Sequence, residues 1–120
     1  WLRFNSNSTT NYSITTLRGN GTAASSDRQT NFGQMYFFSL GAFSTTIPSM
    51  CTADIFSYAG STNKTVLMTS SLDKNGSGTV ERAVGLWRNT SAITSIQIEI
   101  DSGSLLKTGT TATLYGILKA

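Results

Sequence analysis

The chain contains no histidine, a single cysteine and few charged residues, and these shortages exclude several classes of function. Without histidine, Ser-His-Asp catalysis, Cys-His catalysis and histidine-dependent zinc sites are excluded. Because Cys51 is the only cysteine, an internal disulfide and a metal site made of several cysteines are excluded as well. We expect Cys51 to be a buried small apolar side chain, with a bridge to another chain as the alternative.

Charged residues make up 12% of the 120 residues, which is about half of the share usual in globular proteins. Polarity comes instead from Ser, Thr, Asn and Gly, which suit strands and turns. The net charge is +3, but the nine basic residues are dispersed along the sequence. Because nucleic-acid-binding proteins usually concentrate basic residues on one face, we expect no nucleic-acid partner. We also expect no membrane span, because no apolar run is long enough for one.

The acidic residues show no pattern typical of a catalytic pair. A glycosidase needs two carboxylates about 5–10 Å apart in a cleft. Asp27 and Asp73 lie in predicted loops, and Glu81 and Glu99 are expected to point outward from strands into solvent. The segment Asp73–Ser77 lacks the alternating acids of a calcium loop and is predicted to be a hairpin turn. We therefore expect no enzyme, no metal and no cofactor, and keep a polysaccharide-degrading enzyme only as a further alternative.

Short apolar or alternating segments recur along the chain, separated by turn residues about every ten positions. Such spacing is typical of antiparallel sandwiches and jelly rolls. We predict an all-β fold, an antiparallel β-sandwich of the jelly-roll type with about eight short strands, in a single domain covering residues 1–120. The chain opens within a strand, and we expect one or two upstream strands to be absent from it or supplied by something else. The predicted strands are Trp1–Asn5, Asn11–Leu17, Gln34–Phe43, Met50–Tyr58, Lys64–Leu72, Thr79–Arg88, Ile93–Ile100 and Thr110–Leu118.

Two connections between these strands are predicted in more detail. The dipeptide Asn75-Gly76 favours a type I′ turn, so Lys64–Leu72 and Thr79–Arg88 are expected to form an antiparallel hairpin. The strand that ends at Arg88 is expected to lead through a tight connection directly into Ile93–Ile100.

Thr22–Gly33 is small and polar, and we predict a long loop there. Long loops without internal structure are commonly contact loops, with a mobile surface excursion as the alternative. The candidate contact residues in this loop are Asp27, Arg28, Gln29 and Asn31.

Gln34–Phe43 is the most apolar run, with apolar residues at both odd and even positions. This pattern is typical of a strand that is buried on both faces. A subunit contact through Tyr36, Phe38 and Phe43 would explain it, and so would a phenylalanine cluster that caps the core. We expect a homo-oligomer on this basis.

Several aromatic residues could instead form a platform on which sugars stack. The candidates are Trp1, Tyr12, Tyr36, Tyr58, Trp87 and Tyr115, and core packing is the alternative for each of them. Trp87 shares a predicted strand face with the small residues Ala83 and Gly85, which favours a packing role. A carbohydrate-binding, lectin-like adhesion module is therefore the alternative function, to be distinguished by whether these aromatic side chains are exposed in a shallow groove.

Six segments, in this order, resemble a β-sandwich domain that is common in predicted structural proteins of tailed bacteriophages, including phages of marine and cyanobacterial hosts. The similarity covers nearly the whole chain, and its most specific elements are GLW, AITSI and LYGI. Family members usually carry a further strand-like segment before the RFN element. The segments are LRFNSNSTTNY (Leu2–Tyr12), LRGNGTAAS (Leu17–Ser25), YAGSTNKTV (Tyr58–Val66), DKNGSG (Asp73–Gly78), GLWRNTSAITSIQI (Gly85–Ile98) and ATLYGI (Ala112–Ile117).

The resemblance implies a protein at the surface of a virion: a head decoration or fibre, or a component of a tail fibre or tail tip. It implies neither an enzyme nor a cofactor, and it carries no functional residues over to this chain. The expected partners are other copies of the chain, with a trimer favoured for a fibre, other virion proteins and, through exposed loops, a glycan of the host surface.

Overall fold

The computed structural model describes residues 1–36, 47–100, 106 and 108–117. Over these residues the chain forms seven β-strands and no helix, and hence no helix that could span a membrane. All strand pairs are antiparallel. The strands are β1 (Leu2–Phe4), β2 (Tyr12–Gly19), β3 (Ala24–Phe32), β4 (Met50–Ile55), β5 (Lys64–Asp73), β6 (Gly78–Trp87) and β7 (Ile96–Ile98).

The strands form two sheets, which confirms the predicted all-β antiparallel fold and is compatible with a β-sandwich. The larger sheet has the order β3-β2-β6-β5-β4, so β6 is its central strand. The smaller sheet pairs β1 with β7 and places Leu2 opposite Ile98. Leu2 and Phe4 of β1 are buried against the larger sheet, whose side toward β1 and β7 we call the inner face. Its opposite side is the outer face.

The core follows from strict alternation along β2, β5 and β6, in which every second side chain is buried. Trp87 is fully buried, with its ring centroid 5.5 Å from that of Phe4 and 6.2 Å from that of Tyr12. A Cβ atom on Gly85 would overlap the sulfur of Met35, so the glycine leaves the space that Met35 fills beside the indole. The prediction that Trp87 packs in the core next to Gly85 is confirmed.

The hairpin of β5 and β6 is confirmed as predicted. Asn75 and Gly76 have φ angles of 54° and 116°, both positive as a type I′ turn requires. The amide of Lys74 donates a hydrogen bond to the carbonyl of Ser77 at 2.7 Å, which closes the two-residue turn.

The prediction of a loop over Thr22–Gly33 is wrong, because β3 occupies most of it and pairs with β2. The Asn20 side chain forms the turn into β3 by accepting hydrogen bonds from the amides of Thr22 and Ala23, at 3.0 and 2.8 Å. Nearly all of β3 is exposed, since it is an edge strand. Without a buried face, the strand needs no apolar alternation, and the sequence shows none.

Two further strand predictions are corrected. The tight connection from Arg88 into a strand over Ile93–Ile100 is not found: residues 88–95 lead to the smaller sheet, where a shorter strand, β7, pairs with β1. Residues 110–117 form no strand, and Leu114, Tyr115 and Ile117 are between 78% and 89% exposed. In Gln34–Phe43, Met35 makes one isolated bridge to Leu2, while residues 37–43 lie outside the described residues.

Candidate functional site

The four predicted contact residues lie on the edge strand β3, but they do not share one surface. In the register of β3 with β2, Arg28 is opposite Thr15 and lies on the outer face, whereas Asp27 and Gln29 are opposite the inward-facing Thr16 and Ile14. Asn31 sits at the irregularity of the ladder with a φ of 56°. Its side-chain oxygen accepts a hydrogen bond from Arg88 at 2.7 Å, so Asn31 helps to hold in place the residue that follows β6.

Asp27 belongs to a chain of ion pairs on the inner face. The guanidinium of Arg18 lies 3.6 Å from the carboxylate of Asp27 and 3.1 Å from that of Glu81. Glu81 is only 7% exposed and also accepts a hydrogen bond from Ser70 at 3.5 Å. The expectation that Glu81 is solvated was therefore wrong. The parity of β6 could have revealed this, because Glu81 is six residues before Trp87 and so shares its inward face.

Lys64 is a buried cation, which sequence reasoning missed entirely. Its side chain is fully buried, and its Nζ donates to the carbonyls of Gly60 at 2.8 Å, of Thr62, and of Thr90 at 3.5 Å. The ammonium group thereby joins the β4–β5 connection to the segment that follows β6. The described hydrogen bonds of the Lys64 side chain are all to carbonyl oxygens, so Lys64 holds these two connections together.

Tyr36 of the predicted subunit-contact strand packs within its own chain. Its ring centroid lies 4.2 Å from that of Trp1 and 5.6 Å from that of Phe32. Phe38 and Phe43 lie outside the described residues, so a subunit contact through this segment stays a prediction.

The outer face of the larger sheet carries a group of exposed apolar side chains. Five of the eleven exposed large apolar residues that are described project from this face or from its continuation past β4. The face also contains a shallow depression of about 230 Å³ beside β6, with Ser13, Thr30 and Leu86 among its lining residues. The five apolar residues are Leu17, Met50, Phe56, Val80 and Val84.

The outer face carries opposite charges at its two edges. Arg28 on β3 is exposed, and its Nε donates a hydrogen bond to the hydroxyl of Thr15 at 3.0 Å, which draws the guanidinium over the face. Asp54 on β4 is also exposed, at the other edge of the sheet. Within the described part of the chain, no ion pair involves either residue. This face, with apolar side chains and the exposed Arg82 on its middle strands and a charge without a described ionic partner at each edge, is the candidate functional site.

The same part of the chain offers no metal centre, since no three His, Cys, Asp or Glu side chains lie together there. The buried carboxylate of Glu81 is paired with the guanidinium of Arg18, whose side chain is 33% exposed.

Two of the segments that carry the resemblance to phage proteins, the RFN and AITSI elements, contact each other, whereas Leu114 and Tyr115 of the LYGI element are largely exposed and lie in no strand. Asn5 of the RFN element accepts hydrogen bonds at its side-chain oxygen from the amides of Thr94 and Ser95, at 2.8 and 3.2 Å, and donates to the carbonyl of Ala92 at 2.8 Å. The AITSI element is thus held by the RFN element. The rings of Phe4 and Trp87, which belong to the RFN and GLW elements, are also in contact, with their centroids 5.5 Å apart.

No family model, no curated protein and no solved structure matches this chain. A function must therefore be argued from its own residues and from the resemblance of its sequence elements.

Proposed function

We propose that this protein is a structural component of a bacteriophage particle, located at the virion surface as a capsid decoration, a fibre or a part of the tail fibre. In this role it binds other copies of itself and other virion proteins, and it is available for contact with the host surface. The proposal begins from the order of the RFN, GLW, AITSI and LYGI elements, which resemble those of phage structural proteins.

The single observation that carries the proposal beyond the resemblance is the outer face. An assembly protein needs a surface that is better covered by a neighbour than by water, and contiguous exposed apolar side chains mark such surfaces. Leu17, Val80 and Val84 on neighbouring strands are 59%, 59% and 46% exposed, and they surround Arg82, which lies opposite Leu17 and between the two valines on β6. The depression beside them is shallow, which suits a protein contact better than the enclosure of a small ligand.

Two aromatic candidates of the carbohydrate-binding alternative are exposed, Tyr58 at 49% and Tyr115 at 83%, but the others are not. Trp87 is fully buried, so its indole is not accessible to a sugar ring. The aromatic rings of Trp1 and Tyr36 contact each other and Phe32.

The test is to measure the copy number of this chain in purified phage particles by quantitative mass spectrometry. A copy number similar to that of the major capsid protein would assign it to the shell as a decoration. A copy number similar to that of the tail-fibre proteins would assign it to a fibre or tail tip. Absence from the particles would refute the virion proposal and would direct the next experiment to binding of glycans.

A further inference from the structure

We propose that two copies of this chain pair through their outer faces, around a two-fold axis that runs parallel to β6. The two copies would form an isologous dimer in which the sheets stack face to face. This inference rests on the sheet register and the edge charges and does not depend on the virion proposal.

One row of residues across the outer face carries the argument. Arg28 is opposite Thr15, Thr15 is opposite Val84, Val84 is opposite Leu67, and Leu67 is opposite Asp54. Val84 lies on the central strand, with two strands on each side. Arg28 and Asp54 are therefore equally far from it, at about 10 Å each, given the usual spacing between strands. At about 19 Å from each other, the two charges are too far apart to pair within one chain.

A two-fold rotation about an axis parallel to β6 places the β3 edge of one copy over the β4 edge of the other. Each residue keeps its position along the direction of the strands. In the stacked pair, Val84 then meets Val84 of the second copy, and Arg28 of each copy faces Asp54 of the other. Two ion pairs thus form from charges that have no ionic partner within the described chain. An isologous contact requires such a self-complementary surface.

A second row agrees with the same axis. The amide of Phe56 donates a hydrogen bond to the carbonyl of Thr65 at 2.9 Å, which extends the ladder of β4 by one residue. Thr65 is opposite Leu86, and Leu86 is opposite Ser13. The rotation brings Phe56, which is 55% exposed, over the β2–β3 side of the shallow depression on the other copy. An exposed aromatic ring would thereby gain an apolar and hydroxyl-lined recess.

The size of the face indicates a weak dimer. Five strands of up to 10 residues give a surface of about 19 by 30 Å, or about 600 Å² per copy. The total of about 1,200 Å² is at the lower limit for a specific interface. We expect a dimer that forms in the micromolar range.

This arrangement creates one unfavourable contact, and removing it should strengthen the dimer. Arg82 is also exposed on the outer face of β6, two residues before Val84, and would face Arg82 of the second copy. Replacing Arg82 by the neutral Thr removes this repulsion, so we expect the variant Arg82→Thr to dimerise more tightly than the wild type.

The decisive experiment is sedimentation of the whole chain over a range of concentrations, with charge reversals at the two edges. We expect the variants Arg28→Asp and Asp54→Arg to be weaker dimers by about tenfold or more, since each change replaces two attractive pairs by repulsive ones. An equimolar mixture of the two variants is expected to regain wild-type association, because each chain then supplies the charge that the other lacks. The double variant should regain it as well.

A separate measurement distinguishes weaker association from misfolding of a variant. Denaturant unfolding must show that each single variant is as stable as the wild type, and recovery by mixing is itself incompatible with a folding defect. A monomer at all concentrations, a trimer, a dimer indifferent to both reversals, or a failure of the mixture to recover would each refute the proposal.

Discussion

The hydroxyl of Tyr12 accepts a hydrogen bond from the backbone amide of Phe4 at 3.0 Å, and both residues are fully buried. The same hydroxyl donates to the carbonyl of Asn7 at 3.1 Å. One phenol thus joins β1, the turn after it and β2, directly beside Trp87. This contact links the two sheets by polar bonds within the aromatic part of the core, which Phe4, Tyr12 and Trp87 form.

Replacing Tyr12 by Phe keeps the ring and removes these bonds. The amide of Phe4 would then be buried without its partner, and we expect the free energy of unfolding to fall by about 1–3 kcal/mol. Urea unfolding followed by tryptophan fluorescence measures the loss. The matched control is Tyr58→Phe, at a residue that is 49% exposed and should be insensitive to the change. Equal stability of the two variants would contradict the structural role of the Tyr12 hydroxyl.

The sequence predicted the part of the fold that has a buried face. Three parts of the chain alternate between buried and exposed positions, and this alternation can be recognised in the sequence. They are β1 with Leu2 and Phe4, β2 from Tyr12 onward, and the β5–β6 hairpin. These elements make up most of the core, and the Asn75-Gly76 turn fixes their register.

The missed features depend on information that local patterns do not contain. β3 has no period because it has no buried face, and the pairing of β7 with β1 joins positions almost a hundred residues apart, including Arg3 and Gln97. The burial of Lys64 depends on carbonyls from two separate connections. The outer face was missed for the same reason, since Arg28 and Asp54 become related only through four strand pairings.

Gly85 provides a test of core packing. An added Cβ would overlap the Met35 sulfur and approach the methyl group of Met68 to 3.2 Å, so Gly85→Ala is expected to destabilise the fold by about 1–3 kcal/mol. Gly116→Ala is the matched control, because nothing lies within 4 Å of a Cβ there. Combining Gly85→Ala with Met35→Ala should cost less than the sum of the two single changes. Strict additivity in urea unfolding would show that the two residues do not share this space.

Lys64 tests the contribution of a buried cation. Lys64→Met preserves most of the length and removes the ammonium group that three carbonyls contact. We expect a loss of about 1.5–3 kcal/mol in the free energy of unfolding, typical of hydrogen bonds to a charged group. The joined connections, residues 57–63 and 88–92, should also be cleaved faster by a protease in the folded state. Lys74→Met in the β5–β6 turn is the control, and a similar effect at both sites would argue against a special role for Lys64.

Cys51 has a chemical signature that follows from its place on β4. It lies on the inner face opposite Ser70, and burial raises the pKa of its thiol from 9.0 to about 11. The thiolate is the reactive species, so alkylation by iodoacetamide at pH 8 should be about a hundredfold slower in the folded protein than in urea. The rate should rise with pH up to about 11 in the folded state, but level off near 9 when the chain is unfolded.

The same shift makes stability depend on pH. Because the folded state holds the proton more tightly, the contribution of Cys51 is complete below pH 9 and is lost as the pH rises toward about 11. The variant Cys51→Ser removes this titration. Burial also raises the pKa of Tyr12 above 10.0, so the wild type and Cys51→Ser should both lose stability at the alkaline end, the wild type from a lower pH. Superimposable stability profiles, together with equal alkylation rates in the folded and unfolded chain, would show that the thiol is not partly shielded from solvent as the structure places it.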